Sequence, residues 1–203
     1  MDRLDSVLDA ATPLLRRAEE VLEAAGAPIG HPLWGHLRRV RLMPADAAAA
    51  VAGLRPPALA DAAADLRADA RVCAGVASSL PSPGQWEGEA AEAYEDQRRR
   101  FAGHLSGTGE SLDERFEATA DLAAALHDWM VRTRDNLASA LADALSSAEA
   151  VILAAPLAYP PSPAEIKAAA DLASHVLDVV ATDYAEAEDL LHGSQELANP
   201  VPM

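Results

Sequence analysis

The spacing of apolar residues predicts helices along most of the chain. Apolar side chains recur every three or four residues from Leu4 to about Ala25, where Gly26 and the prolines after it end the pattern. A weaker helix is predicted over Ala45 to Gly53. A last helix is predicted from about Ala164 to Leu191, with the most regular apolar spacing in the chain. These patterns indicate helices that pack along one face.

The central part of the sequence predicts a helical hairpin. A segment from about Pro57 to Leu80 carries apolar residues at heptad spacing, and a stretch rich in proline and glycine follows. From Glu89 to about Leu153 the apolar spacing keeps its phase, which favours one long helix. Three glycines between 103 and 109 each cost a helix about 1 kcal/mol relative to alanine, so a kink or reversal there is the alternative.

The predicted fold is all-α: an elongated antiparallel helical hairpin or bundle with a Trp-x-Gly turn at its tip, N-terminal helices and a C-terminal helix. Four segments are expected. Residues 1–55 form an N-terminal helical accessory segment and residues 56–155 form the hairpin. Residues 156–193 form a proline-linked acidic helix, and residues 194–203 form a flexible tail. Aromatic residues make up only 4% of the chain, which favours helices in close contact over a thick core.

Charge and hydropathy narrow the classes of partner. The chain has 32 acidic and 16 basic residues, for a formal net charge of −16, which counts against nucleic acid and anionic membrane surfaces. The longest apolar run, Ala150 to Tyr159, is too short to cross a membrane and contains Pro156. We expect no membrane span and no cleaved signal peptide. A single cysteine, Cys73, cannot form an intramolecular disulfide.

Motifs for catalysis or cofactor binding are missing from the sequence. It contains no nucleophile elbow, phosphate-binding loop, dinucleotide fingerprint or Cys-x-x-Cys pair. Two acid–histidine pairs at helical spacing, Asp171/His175 and Glu188/His192, could in principle contribute to a metal site. Surface histidines are the commoner explanation of such pairs, because no second pair completes a ligand set. We expect no enzymatic activity, no cofactor and no metal.

Two short motifs are candidate binding elements. Trp86-Glu87-Gly88 follows the proline- and glycine-rich turn, where a tryptophan either presents a ring face to a partner or caps the hairpin by packing between its helices. Tyr184 precedes Glu188 by one helical turn, which places a phenol beside a carboxylate. An ordinary core or interface tyrosine is the alternative. The acidic residues of this last helix are either a solvated face or a surface for a basic partner.

The stretch from Leu59 to Leu153, with Trp86-Glu87-Gly88 at its turn, resembles the WXG helical-hairpin family of small type VII (ESX-like) secretion substrates. The run from Gln85 to Tyr94, followed by Arg98 to Phe101, is the most family-like part. The segment from Tyr184 to Glu188 looks like the Tyr-x-x-x-Asp/Glu export signal of that family.

The resemblance implies a non-enzymatic protein that is exported folded, as a homodimer or as a heterodimer with another helical-hairpin protein, through a channel driven by a secretion ATPase. It implies a location outside the cell or at the cell envelope, and a secretion signal made of Trp86, Gly88, Tyr184 and Glu188. The chain departs from the family pattern, because its two motifs are about 100 positions apart and about 55 residues precede the hairpin. The alternative is a cytoplasmic helical-bundle adaptor or chaperone that binds a basic partner through the acidic C-terminal helix.

Overall fold

The computed structural model describes residues 2–107, 110–156 and 159–194, and its regular structure in these ranges is helical, without strands. The prediction of an all-α fold is confirmed. The helices, numbered in chain order, are α1 Arg3–Ala25, α2 Leu33–Val40, α3 Pro44–Ala52, α4 Ala62–Ser79, α5 Glu89–Leu105, α6 Leu112–Leu145, α7 Ala148–Leu153 and α8 Pro163–Ser194, with a 3-10 turn at Pro56–Leu59.

Local sequence signals explain where the helices begin. Asp2 caps α1 by accepting a hydrogen bond from the backbone N–H of Leu4 at 3.3 Å. The N-terminus of α3 begins with Pro44, and the backbone N–H of Ala45 donates to a carboxylate oxygen of Glu19 in α1 at 2.8 Å. These caps satisfy N–H groups that a helix leaves without an internal partner.

The last helix starts with a reciprocal cap. The backbone N–H of Glu165 donates to Ser162 Oγ at 3.3 Å, and the backbone N–H of Ser162 donates to Glu165 Oε2 at 2.8 Å. The observed helix, Pro163–Ser194, includes the whole predicted helix and extends it slightly at both ends. The rest of the predicted tail, from residue 195, lies outside the described residues.

The prediction of one continuous helix from Glu89 to Leu153 is wrong. The chain leaves the helix after Leu105 and re-enters it at Leu112, and a second interruption follows Leu145. A Cβ added at Gly107 would lie 2.7 Å from the carbonyl oxygen of Gly103, so the backbone approaches itself more closely than alanine allows. Gly109, the third glycine of this group, lies outside the described residues.

Side-chain hydrogen bonds cap the N-termini of α6 and α7, the two helices that follow the interruptions. Before α6, Ser111 Oγ donates to Asp113 Oδ1 at 2.6 Å, and the same oxygen accepts the backbone N–H of Glu114. Hydrogen bonds from Ser106 and Ser111 hold the pKa of Asp113 below its usual value. Before α7, Ser147 Oγ accepts the backbone N–H of Ala150 at 3.1 Å. The breaks are therefore encoded in glycine and capping residues rather than in the apolar pattern.

The contacts within the chain divide it into two units. The first unit consists of Met1–Arg55 and Asp128–Asp189, and the second of Pro56–His127 with the residues from Leu190 onward. Residues 128–155, which the sequence analysis places in the hairpin segment, belong to the first unit.

The core of the first unit combines leucines and valines with alanines. Its largest fully buried side chains come from α1, from the C-terminal half of α6 and from α8, including Leu15, Leu141 and Leu177. Arg134 of α6 lies among them, with its guanidinium donating to Asp2 Oδ2 at 2.7 and 2.9 Å. The same group donates to the carbonyl oxygens of Ala52 and Leu54, at 2.5 and 3.1 Å. One side chain therefore ties the start of α1 and the end of α3 to α6.

The second unit has an interior of small residues. Helices α4 and α5 pack against each other, and the buried apolar residues among the described residues of this unit are all alanines, at 70, 77, 91, 120 and 123. Arg67 of α4 forms ion pairs with Glu117 and Asp121 of α6, with N–O distances of 3.5 and 2.6 Å. Small side chains let the helices approach closely but bury little apolar area per residue.

Candidate functional site

Trp86 lies in the connection between α4 and α5, and its side chain is 53% exposed. Its backbone N–H donates to the carbonyl oxygen of Pro83 at 3.1 Å, which closes a tight turn. Gly88 follows with φ 96°, a conformation that favours glycine, and directly precedes α5. The carbonyl oxygen of Gly88 accepts the N–H groups of Ala91 and Glu92. Gly88 thus connects the tryptophan-bearing segment to the first turn of a helix.

The ring of Trp86 contacts the ring of Tyr94. The two ring centroids are 5.9 Å apart, and the planes are inclined at 47°. The Tyr94 hydroxyl donates to the carbonyl oxygen of Pro81 at 2.8 Å, which anchors the tyrosine to the same connection. More than half of the surface of Trp86 is exposed, while its ring contacts Tyr94 near the start of α5.

The surface around Trp86 is acidic. An open depression there is lined by Trp86 together with Glu87, Glu92, Glu95, Asp96 and Arg99, among other residues. Glu95 accepts hydrogen bonds from Arg98 and Arg99 at 2.7 to 2.8 Å, and these bonds lower its pKa to about 2. Glu95 therefore stays ionised across the physiological pH range.

Tyr184 and Glu188 lie one turn apart on α8, in the first unit. The Tyr184 side chain is 45% exposed. Glu188 accepts a hydrogen bond from Arg39 Nη2 at 3.2 Å, and Arg39 Nε donates to the carbonyl oxygen of Ala181 at 3.4 Å. Arg39 of α2 thus bridges the turn of α8 that carries Tyr184. Sequence reasoning missed this ion pair, because its partners are 149 positions apart.

Two further acidic residues of α8 face basic residues of the α2 region. His31 Nε2 lies 3.0 Å from Asp171 Oδ1, and His36 Nδ1 lies 3.7 Å from Asp178 Oδ1. Partial burial opposes ionisation of Asp171, but hydrogen bonds from Lys167 and His31 outweigh it and hold the pKa of this carboxyl below its usual value. Asp171 therefore contacts His31 and Lys167, rather than the His175 suggested by spacing.

A buried polar group lies directly before Tyr184 in sequence. Asp183 is only 6% exposed, and one of its carboxylate oxygens accepts a hydrogen bond from Asn136 Nδ2 at 3.1 Å. Its other carboxylate oxygen, like the Thr133 hydroxyl, is buried without a hydrogen-bond partner. Burial raises the pKa of the Asp183 carboxyl. The backbone oxygen of Asp183 accepts the indole N–H of Trp129 at 2.9 Å, which holds α8 to α6.

The structure brings Trp86 and Gly88 together in the second unit, and Tyr184 and Glu188 together in the first. The described residues contain no group of three or more His, Cys, Asp or Glu side chains placed to hold a metal ion. No helix in the described ranges is both long enough and apolar enough to cross a membrane.

Comparisons with models of known protein families, with curated proteins and with solved structures find no match to this chain. The fold and surface define an all-helical protein with half-exposed aromatic residues at Trp86 and Tyr184.

Proposed function

We propose that this chain is a non-enzymatic, protein-binding helical protein that a type VII (ESX-like) secretion system exports folded, either as a substrate or as a secretion partner. The observation that carries the proposal is the half-exposed Trp86 between α4 and α5, followed by Gly88 at the start of α5. A tryptophan whose only role was to pack between α4 and α5 would be covered by those helices. Trp86 instead keeps an exposed surface for a second protein.

The support around Trp86 favours recognition. Its contact with Tyr94, together with the hydrogen bond from Tyr94 to Pro81, restricts the ring before a partner arrives. Restricting an aromatic side chain in advance reduces the entropy lost on binding, which is a property of binding hot spots. The expected partners are another helical-hairpin protein in a homodimer or heterodimer, and the secretion ATPase.

Tyr184 and Glu188 form the second part of the proposed signal. The exposed Tyr184 ring is available to a partner, while Arg39 holds the carboxylate of Glu188 one turn away. This ion pair is exposed and therefore weak, so a partner that binds Glu188 can displace Arg39 at small cost.

The alternative, a cytoplasmic adaptor that binds a basic partner through α8, has less support. Four carboxylates of α8 already lie near basic side chains of the same chain. Asp171 pairs with His31 and Lys167, Asp178 with His36, Glu186 with Arg132 and Glu188 with Arg39. Asp183 is buried. A basic partner would have to compete with these internal pairs.

Export measured in culture supernatant tests the proposal. Trp86→Ala and Tyr184→Ala are each expected to reduce export about tenfold or more, as for the loss of a binding hot spot, while the melting temperature stays nearly unchanged. Tyr159→Ala is the matched control, because Tyr159 is an exposed aromatic residue outside both motifs and outside the family-like stretch. Equal export by all three variants and the parent protein would refute the secretion proposal.

A further inference from the structure

Helix α2 has two faces with different roles. His36 and Arg39 point towards α8, where they meet Asp178 and Glu188. At 100° per residue, Trp34 and Arg38 lie on the opposite side of α2, and Arg41 directly follows the helix at its C-terminus. This side is not covered, because Trp34 is 43% exposed and both arginines are exposed. The face of α2 directed away from α8 is therefore free to bind.

An apolar groove lies beside this free face. Side chains from three parts of the chain line it. These are Leu22 near the end of α1 with Ala27 just after that helix, then Leu33, Trp34 and Leu37 of α2, and Met43 directly before α3. Trp34 is held in place by its indole N–H, which donates to the carbonyl oxygen of Pro28 at 3.1 Å. Ile29, the next residue after Pro28, is fully exposed. We call this surface the α2 groove.

The charged residues near the α2 groove indicate which kind of partner it binds. The protein has twice as many acidic as basic residues, yet Arg38 and Arg41 form no ion pair within the part of the chain that the structure describes. Glu23 is the acidic residue of the lining. Arg38 directly follows the lining residue Leu37, and Arg41 precedes the lining residue Met43 by two positions, so their guanidinium groups match carboxylates that flank an apolar stripe.

We propose that the α2 groove binds an amphipathic helix of a partner protein, whose apolar stripe fills the groove and whose flanking carboxylates pair with Arg38 and Arg41. Apolar anchors at positions i, i+3 or i+4, and i+7 of such a helix are the usual way to fill a groove between helices. This surface shares no residue with the secretion signal proposed above, so either proposal can fail alone.

Two labelled peptides test the inference by fluorescence anisotropy. Both carry leucines at helical spacing, and one has glutamate at every flanking position whereas the other has lysine. The glutamate peptide is expected to bind saturably, with an affinity that falls as salt rises, and the lysine peptide is expected not to bind. Absence of binding by the glutamate peptide, or equal binding of both peptides, would overturn the proposal.

Charge reversal locates the binding surface. The variant Arg38→Glu/Arg41→Glu is expected to weaken binding of the glutamate peptide about tenfold or more, because it places like charges opposite each other. The control Arg71→Glu/Arg100→Glu has the same change in charge at exposed arginines of the second unit, and it is expected to bind like the parent protein. Equal weakening by the two variants would show a general charge effect and overturn the assignment.

Two further measurements separate other occupants. In flotation with phosphatidylglycerol vesicles the parent protein is expected to stay unbound, and binding that requires Arg38 and Arg41 would make the groove a lipid-binding surface instead. In sedimentation the groove variant is expected to have the same mass as the parent protein. A dimer that is lost only in the groove variant would identify a second copy as the occupant, and would overturn the proposal of a different partner.

Discussion

The two units of this chain have different interiors. The core of the first unit combines leucine and valine side chains with alanines, whereas the buried apolar residues that the structure describes in the second unit are all alanines. A buried leucine contributes several times the apolar area of a buried alanine, so the first unit has the larger hydrophobic stabilisation. The second unit carries the half-exposed Trp86. Of the two candidate recognition aromatics, Trp86 therefore lies on the more weakly packed unit and Tyr184 on the more strongly packed one.

The largest expected effect comes from removing a core side chain of the first unit. Leu177→Ala is expected to lower the free energy of unfolding by about 2 to 5 kcal/mol, because the side chain is fully buried and leaves a cavity. Val72→Ala on α4, where the side chain is 62% exposed, is expected to change it by less than about 0.5 kcal/mol. Urea unfolding followed by circular dichroism measures both. A large cost at Val72 would mean that α4 is covered in solution and would break the comparison.

Arg134 provides the next largest effect. Arg134→Met is expected to destabilise the protein by about 1 to 3 kcal/mol, because it removes charged hydrogen bonds to Asp2 and to the carbonyl oxygens at the end of α3. Arg132→Met is the matched control, since its ion pair with Glu186 is exposed and is expected to contribute about 0 to 1 kcal/mol. Equal losses in chemical denaturation would show that the buried arginine has no special role in the first unit.

Two glycines of the second unit are expected to act in opposite directions. Gly103→Ala lies inside α5 with open space around its added Cβ, so it is expected to stabilise the protein by about 0.5 to 1 kcal/mol. Gly107→Ala is expected to destabilise it, because the new Cβ would approach the backbone at Gly103 too closely. Thermal unfolding of both variants measures the difference. The same sign for both would contradict the backbone explanation of the helix break after Leu105.

The smallest expected effect is a dependence on pH at Asp183. Burial raises the pKa of the Asp183 carboxyl in the folded protein above its ordinary value of 3.8. The protonated carboxyl therefore stabilises the fold at low pH, and this stabilisation is lost as the pH rises through the raised pKa. The free energy of unfolding of Asp183→Asn, compared with that of the parent protein, is therefore expected to be highest near pH 7, and the difference is expected to shrink towards pH 4. Stability curves of both proteins at several pH values measure it, and a difference that does not change with pH would refute the prediction.

The sequence predicted the helices whose signals are local. Helix α1 differs from its predicted limits by one residue, and α8 contains its predicted range, because apolar spacing and capping residues mark them clearly. A break after Leu105 was the less favoured of two predictions, because the apolar spacing keeps its phase on both sides of it and only the glycines between 103 and 109 indicated the break. Its cause is a close backbone approach between Gly103 and Gly107, which periodicity does not register.

The candidate site was only partly predictable for a related reason. Spacing identified Trp86 and Tyr184 but left their exposure open, since exposure depends on which elements pack nearby. The ion pair between Arg39 and Glu188 required knowing that α2 lies against α8. The buried Asp183 was counted as one acid among others, although it faces Asn136 and Trp129 of α6.

The placement of the three tryptophans gives each unit its own optical reporter. Trp86 is the single tryptophan in Pro56–His127, whereas Trp34 and Trp129 belong to the first unit. With phenylalanine at positions 34 and 129, the remaining emission comes from Trp86, whose exposed ring is accessible to a neutral quencher such as acrylamide. Its emission during a denaturant titration then follows the second unit, while the helical circular dichroism signal follows the whole chain.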